Sequence, residues 1–352
     1  MLIGETIALL VAVSWTATAL FAEVASKRMG SLPLNTIRMT MSLLLLAATL
    51  WLTMGVPWPR YADGGTWGWL VLSGVVGYVI GDYCLMQGYI LIGSRIGQLF
   101  MTLSAPTAAI TGYLLLGEQM HWLAILGMVV TLSGIAMSIL SGERRVENGE
   151  QANAATTSPL SALHSPLSAL RSPLSALYSP LPPRGIFYAS MAGICQGFGL
   201  VLSKIGLERY DAAIAAAGLS GDAVAEGAAV SLPLYLSVPF AATMIRASIG
   251  LVGFFVLLAV FNRDWKEKLS HAVHDRKAMW CLLGATVFGP FIGVSASLLA
   301  TQYTSTGIAQ TLFALTPVLI IAPAALLFHQ RVTLREVVGA VVSVVGVCLF
   351  FI

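Results

Sequence analysis

Residues 77–140 of the chain return, without a gap, as residues 289–352. Sliding the sequence by 212 positions places Gly77 on Gly289, Gly81 on Gly293, Gln98 on Gln310, Gly127 on Gly339 and Gly134 on Gly346, with Ile80, Ile96 and Leu103 meeting Ile292, Ile308 and Leu315. Shared hydrophobicity aligns aliphatic residues by chance, but it does not align four glycines and a glutamine at fixed spacing. The chain therefore reads as a duplication, and a repeat constrains architecture before any other feature is weighed. Each copy holds three long apolar segments and is preceded by two more, five plus five. An odd number of spans per copy makes the second copy enter the membrane upside down, which is the inverted-repeat plan of secondary transporters.

A hydrocarbon core about 30 Å thick needs roughly 20 apolar residues per helix. Ten stretches qualify: 3–25, 34–55, 67–91, 96–116, 121–141, 185–206, 236–261, 278–302, 306–328 and 332–352. They are continuously apolar, without the alternation of a barrel strand, so they read as helices. Hydrophobic residues make up 57% of the chain and charged residues 10%, against about 25% charged in soluble domains. The expected fold is an all-α membrane protein of ten transmembrane helices, arranged as two inverted five-helix repeats over 1–141 and 185–352. Between them, 142–184 contains the run SPLSALH, SPLSALR, SPLSALY, where proline every seventh residue rules out a continuous helix and predicts an unfolded or polyproline-like linker. A stretch rich in Ala and Gly, 208–239, reads as an irregular insertion or a surface helix, and 30–33 as the tight turn at the matching place in the first half.

Loops after the odd-numbered segments carry fourteen Lys and Arg and the others three, a count that puts both termini outside the cytoplasm. Glu5 stands where a cleaved leader would carry basic residues, which argues against cleavage. The four cysteines lie inside apolar segments without metal-ligand spacing, and His271 and His274 lack a partner motif. No phosphate-binding loop, nucleophile elbow or nucleic-acid signal is present, so neither an enzyme nor a cofactor is expected. The expected partners are a small-molecule substrate, protons in a coupled mechanism, and the lipid bilayer of a bacterial cytoplasmic membrane. A homodimer through the fifth and tenth segments is a further alternative.

Ionisable side chains within a span are costly and by default face a cavity or a partner. Asp82 follows Gly81 in the third segment, and its counterpart in the second copy is Val294. It reads as a substrate- or proton-binding carboxylate, or as a folding partner of Arg38. Arg38 and Arg246, each after an isoleucine, either hold an anionic group from two sides or snorkel to headgroups. Glu23 and Lys27, four apart, share a helix face and can satisfy each other. Gln98 and Gln310 occupy equivalent positions and offer donors and acceptors to a polar lumen or to neighbouring helices. Pro106 and Pro317 fall half-way along their segments, where proline frees a carbonyl and kinks the helix. The glycine pairs Gly77/Gly81, Gly193/Gly197 and Gly289/Gly293 read as close helix contacts. The third, fourth, eighth and ninth segments are expected to line the lumen, with the fifth and tenth at its periphery.

Ten spans in two repeats, Pro106 followed by Leu116-Gly117-Glu118 at a turn, and then Gly127 and Gly134, together resemble the EamA family of the drug/metabolite transporter superfamily. The resemblance implies export or exchange of a small metabolite by alternating access, without a bound cofactor. It also implies termini in the cytoplasm, opposite to the charge count. The second copy has His329-Gln330 in place of Gly117-Glu118, so a role for the turn carboxylate Glu118 is confined to the first half. The rival class is a membrane sensor or scaffold that binds without moving its ligand.

Overall fold

The structure is a computed structural model that describes residues 2–137, 182–217, 232–319, 323 and 334–349. The linker run from Ser158 lies outside the described residues. Among those described, every regular element is a helix. In order these are α1 (Leu2–Met29), α2 (Ser31–Met54), α3 (Gly64–Gly74), α4 (Tyr83–Met101) and α5 (Ser104–Leu116), then α6 (Trp122–Met137). They continue as α7 (Pro183–Ala216), α8 (Leu232–Phe261), α9 (Trp265–His274), α10 (Arg276–Thr286), α11 (Val294–Tyr303), α12 (Thr306–Phe313), α13 (Thr316–Leu319) and α14 (Leu334–Cys348). Six of the resulting rods are long and apolar enough to cross a membrane, and four shorter apolar helices accompany them.

Burial is inverted relative to a soluble domain. Leu52 is 85% exposed and Leu114 and Val260 69% each, whereas Asn35, Ser42, Ser73, Thr243 and Thr286 are fully buried. Large aliphatic side chains on the outside meet lipid at no cost, and polar side chains turn inward where partners exist. The chain is an integral, multi-pass membrane protein.

Several elements differ from the sequence expectations. The expected turn at 92–95 is absent, since α4 runs on to Met101 and the break comes at Thr102 and Leu103. Pro106 therefore lies in the first turn of α5 rather than mid-helix, and Pro317 likewise opens α13. The physical cause is the missing proline N–H, which abandons the carbonyl four residues back, Thr102 or Phe313, and breaks the helix there. Phe313 O instead accepts from Thr316 Oγ1 at 2.8 Å, and Thr102 O accepts from Ala105 N at 3.2 Å. The turn expected over 30–33 shrinks to Gly30, whose φ of 78° is open to glycine at little strain. The stretch 208–239 is helical at both ends, within α7 and α8, leaving 218–231 outside the described residues. Tyr210 within it is fully buried, whereas Glu208, Arg209 and Ala212 around it are exposed.

The 212-residue offset reappears in the backbone. A π-helical segment, Val75–Asp82, joins α3 to α4, and another, Val287–Gly293, joins α10 to α11. The breaks at 102–103 and 314–315 are related by the same offset. The halves interleave: α1 packs along α10, α11 and α12, and α7 along α3, α4 and α5. Ser14 Oγ donates to Phe288 O at 2.7 Å across the first contact, and Ser73 Oγ to Gly199 O at 2.7 Å across the second. Contacts between α6 and α14 are reciprocal. Thr131 Oγ1 donates to Ser343 O at 3.4 Å and Ser343 Oγ to Thr131 O at 3.3 Å, between residues that are themselves equivalent. A Cβ on Gly134 would stand 2.5 Å from Ser343 N, and one on Gly346 2.5 Å from Thr131 N. The expected close approach at Gly193 and Gly197 is also present, with a Cβ on either falling 2.4 Å from a backbone oxygen, of Phe100 and Ser104 respectively.

Gly134→Ala should force α6 and α14 apart and destabilise the protein by about 1–3 kcal/mol. Gly68→Ala, which meets nothing within 4 Å, should leave stability level or raise it, as read from unfolding titrations in mixed micelles.

At the other end of α1, Arg28 Nε donates to Asp275 Oδ2 at 2.7 Å, and Asp275 caps α10 through Ala278 N at 3.1 Å. These bonds, Arg28 first, hold the Asp275 carboxyl below its ordinary value of 3.8. A lowered folded-state pKa contributes stability that is present above the unfolded value and lost as pH falls through the folded one. The thermal midpoint of the parent protein should therefore exceed that of Asp275→Asn at neutral pH, and the two should converge below pH 3.8.

Candidate functional site

The π-helical segments and the helix breaks meet around one cavity of about 140 Å³. Five side chains singled out in the sequence, Asp82, Arg38, Arg246, Gln98 and Gln310, line it together with Pro317. Glu118 and Pro106 lie elsewhere. The Glu23 and Lys27 side chains lie outside the described residues, so their expected pairing is not among the contacts. No residue of α6 or α14 is in the wall; α1, α2, α7 and α8 contribute to it alongside the third, fourth, eighth and ninth expected segments.

Asp82 is the hub. It is 6% exposed, at the end of the first π-helical segment. Its Oδ2 accepts from Arg38 Nη2 at 2.5 Å and its Oδ1 from Gln196 Nε2 at 2.9 Å. Gln196 Nε2 also reaches Gly77 O at 3.3 Å, and Gln196 O accepts from Gln310 Nε2 at 3.4 Å. Gln310 Oε1 in turn accepts from Ser104 Oγ at 3.3 Å. One chain of hydrogen bonds thus runs from α2 through the π-helical segment and α7 to α12 and α5. The equivalent glutamine Gln98 faces the same cavity from α4.

Arg246 lies over the Tyr78 ring, its guanidinium 5.0 Å from the ring centroid, and is 4% exposed. Among the described residues it forms no ion pair, and its Nε has no hydrogen-bond partner; Arg38 Nε and Tyr78 Oη are likewise unpartnered. The apolar part of the wall includes Trp15, Phe313, Leu85 and Met86, with Trp15 and Phe313 rings 5.0 Å apart.

Sequence reasoning missed Gln196 and Tyr78. Gln196 was findable, as an amide between Gly193 and Gly197 in the middle of an apolar segment. Tyr78 carried no distinguishing signal, since a tyrosine in a membrane helix usually belongs to an interface.

A second polar cluster closes one end of the bundle. Glu118, just after the turn at Gly117, accepts from Lys204 Nζ at 2.6 Å through Oε1, and from Thr306 N at 2.9 Å and Thr306 Oγ1 at 2.6 Å through Oε2. Gly112 leaves room for it, because a Cβ there would stand 2.6 Å from Oε2. Lys204 Nζ also donates to Thr304 O at 3.2 Å, Thr304 Oγ1 to Glu5 Oε1 at 3.0 Å, and Gln302 Nε2 to Asp211 Oδ2 at 3.2 Å. The start of α1, the loop after α5, the end of α7 and the turn between α11 and α12 are tied in one layer. α1 has 28 residues, about 42 Å at about 1.5 Å per residue, so this layer lies at the opposite face from Arg28 and Asp275.

The EamA-like transporter family model matches residues 2–140 and 229–352, well over half of the chain. The chain belongs to the EamA-like transporter family. As an EamA-like protein it falls within the drug/metabolite transporter superfamily. The matched regions leave out 141–228, so α7, which supplies Gln196 and Lys204, is the least family-like part of both polar clusters. Among solved structures 27 chains match. One, described as "Crystal structure of protein", is 13% identical with a TM-score of 0.62 and covers 99% of this chain and 95% of its own; at that identity the likeness concerns the fold. No curated protein matches the chain.

Glu118→Ala leaves Lys204 with the Thr304 carbonyl alone and removes the acceptor for the start of α12. Breaking such a pair from one side should destabilise the protein by about 3 kcal/mol. Glu118→Gln, which keeps an acceptor without the charge, should lose less in the same unfolding titration.

Proposed function

We propose that this EamA-like protein is a secondary transporter that exports or exchanges a small metabolite by alternating access, through a cavity between two inverted five-helix repeats. The observation that carries the reading is the cavity itself. Irregular backbone at membrane depth is tolerated where it is buried in protein or lines a cavity, and both π-helical segments and both helix breaks converge on this one, a pairing common in transporters. The inverted arrangement draws support from the recurrence of those features at the 212-residue offset, and from the reciprocal Thr131 and Ser343 contacts that a two-fold axis produces. Six helices long and apolar enough to cross a membrane, accompanied by four shorter apolar helices, are compatible with ten crossings.

The two ends of the bundle differ, as alternating access requires. One is shut by the Glu118 and Lys204 layer. At the other, a polar cleft is lined by Arg28, Ser31, Tyr83, Gln87, Lys268 and His271; Tyr83 and Gln87 adjoin Asp82 and Met86 of the cavity wall. In this reading the cleft serves as the mouth of the cavity.

Coupling to protons is assigned to Asp82. Protonation removes the charge that holds Arg38 and loosens α2 from the π-helical segment. Asp82→Asn mimics the protonated acid, so in sealed liposomes it should abolish accumulation driven by a proton gradient while sparing downhill exchange. An Asn variant that folds and still accumulates substrate would make Asp82 a structural partner of Arg38. A metabolite panel giving no gradient-dependent flux of any compound with the parent protein favours a sensor or scaffold.

A further inference from the structure

We infer that the cavity binds a small organic monoanion, a carboxylate carrying an apolar body, with Arg246 as its anchor. The inference deepens the transporter reading and rests on it only in taking the cavity as the ligand site. Of the described residues that line the cavity, three are charged: Arg38, Arg246 and Asp82. Asp82 is committed at both oxygens, to Arg38 and to Gln196, so its charge answers that of Arg38. Arg246, 4% exposed, has no ion pair among the described residues and its Nε is unpartnered, so of the two arginines it is the one without a directly bonded carboxylate. A buried charge without a counterion is expensive, and a structure that keeps one beside an open cavity is completed by an anion from outside.

The setting of Arg246 narrows the anion. Tyr78 underlies the guanidinium plane at 5.0 Å, fixing it by cation–π attraction so that its edge stays available for a planar carboxylate, the geometry that a guanidinium fork matches. A Cβ on Gly77 would stand 3.1 Å from Arg246 Nη2, so the fork occupies space that only glycine leaves. The charge surplus is one, which suits a monoanion better than a doubly charged phosphate ester. The wall also includes Trp15, Phe313, Leu85 and Met86, an apolar surface that takes an aromatic or aliphatic body. A zwitterionic amino acid brings an ammonium for which the described residues of the cavity offer no uncommitted carboxylate.

The test is calorimetric binding to the purified full chain in detergent, with benzoate and phenylacetate against their primary amides, and with phenylalanine, phenethylamine and phenyl phosphate. The acids should bind about tenfold or more tightly than the amides, and phenethylamine should bind weakest. Arg246→Gln should erase the gap between acid and amide, and Arg246→Lys should keep part of it. Gly77→Ala, whose methyl crowds Nη2, should weaken the acids and leave the amides unchanged, a second variant if Arg246→Gln does not fold. Equal affinity for acids and amides, preference for the amine or the amino acid, tighter binding of phenyl phosphate than of benzoate, or no acid binding up to about 1 mM overturns the assignment. Acid-selective binding without flux in liposomes defeats the transporter reading and leaves the anion site standing. Flux of amides or amines with no preference for acids does the reverse.

Discussion

The arrangement of the membrane core follows from the need to keep one carboxylate, Asp82, in reach of Arg38 and Gln196 with Arg246 nearby, in surroundings where water cannot substitute for a missing partner. α2, α7 and α8 must all approach the same short stretch of backbone. Glycine makes that possible. A Cβ on Gly74 would stand 2.9 Å from Arg246 O, and one on Gly199 would stand 3.1 Å from Gly77 Cα. With side chains at those places α8 and α7 are pushed outward, and the amide and guanidinium they carry no longer reach the cavity. The glycine spacing in the sequence and the polar cluster in the structure are thus one feature seen at two scales.

The same economy governs the broken backbone. Each irregular segment exposes carbonyls that lipid cannot satisfy, and side chains take them up: Ser14 at Phe288, Thr316 at Phe313, Gln196 at Gly77. Thr316 and Gln196 line the cavity, so two of the devices that repair the helices also belong to the polar part of its wall. A binding surface of hydroxyls and amides is what a chain obtains when it interrupts helices at membrane depth and must still satisfy every backbone group.

Much of this is legible in the sequence. The duplication, the apolar segments and the candidates Asp82, Arg38, Arg246, Gln98 and Gln310 all point to a polar cavity between repeats, because a charge inside a span is too costly to keep unless a cavity or a partner receives it. The sequence leaves Asp82 either as a binding carboxylate or as the partner of Arg38, and geometry is needed to find that pairing alongside Gln196. Element boundaries are less legible. Hydropathy puts a turn at 92–95, where glycine, serine and arginine interrupt the apolar run, while the backbone break follows Pro106 and falls at 102–103. Hydropathy averages over a turn of helix or more, whereas a missing N–H acts on one named carbonyl. The reach of Lys204 to Glu118 joins residues 86 positions apart in different halves, which no local pattern encodes.

The two copies share a scaffold and differ in chemistry, and that division bears on how such a protein can move. In the proposed alternating-access transporter, the symmetric backbone features, the π-helical segments and the breaks, would serve two arrangements, one opening each face. Carboxylates break the tie. Asp82 meets Val294 under the repeat, and Glu118 meets Gln330, so the first copy alone carries the acid that latches α7 and α12. At the other face the corresponding tie is Arg28 with Asp275, whose arginine side chain is 45% exposed, and a solvated pair holds weakly. On that proposal the better buried Glu118 layer favours the latched arrangement when the cavity is empty. A ligand can shift such an equilibrium only by its differential affinity for the two states, so opening of the latched face depends on how much more strongly the cavity holds its ligand in the open arrangement. The hydrogen-bond chain from Asp82 through Gln196 and Gln310 supplies a route for that dependence: Gln196 and Lys204 are both on α7, and Gln310 and Thr306 are both on α12, four residues apart. A ligand that draws Gln196 or Gln310 out of the chain displaces the same two helices that the Glu118 carboxylate holds together.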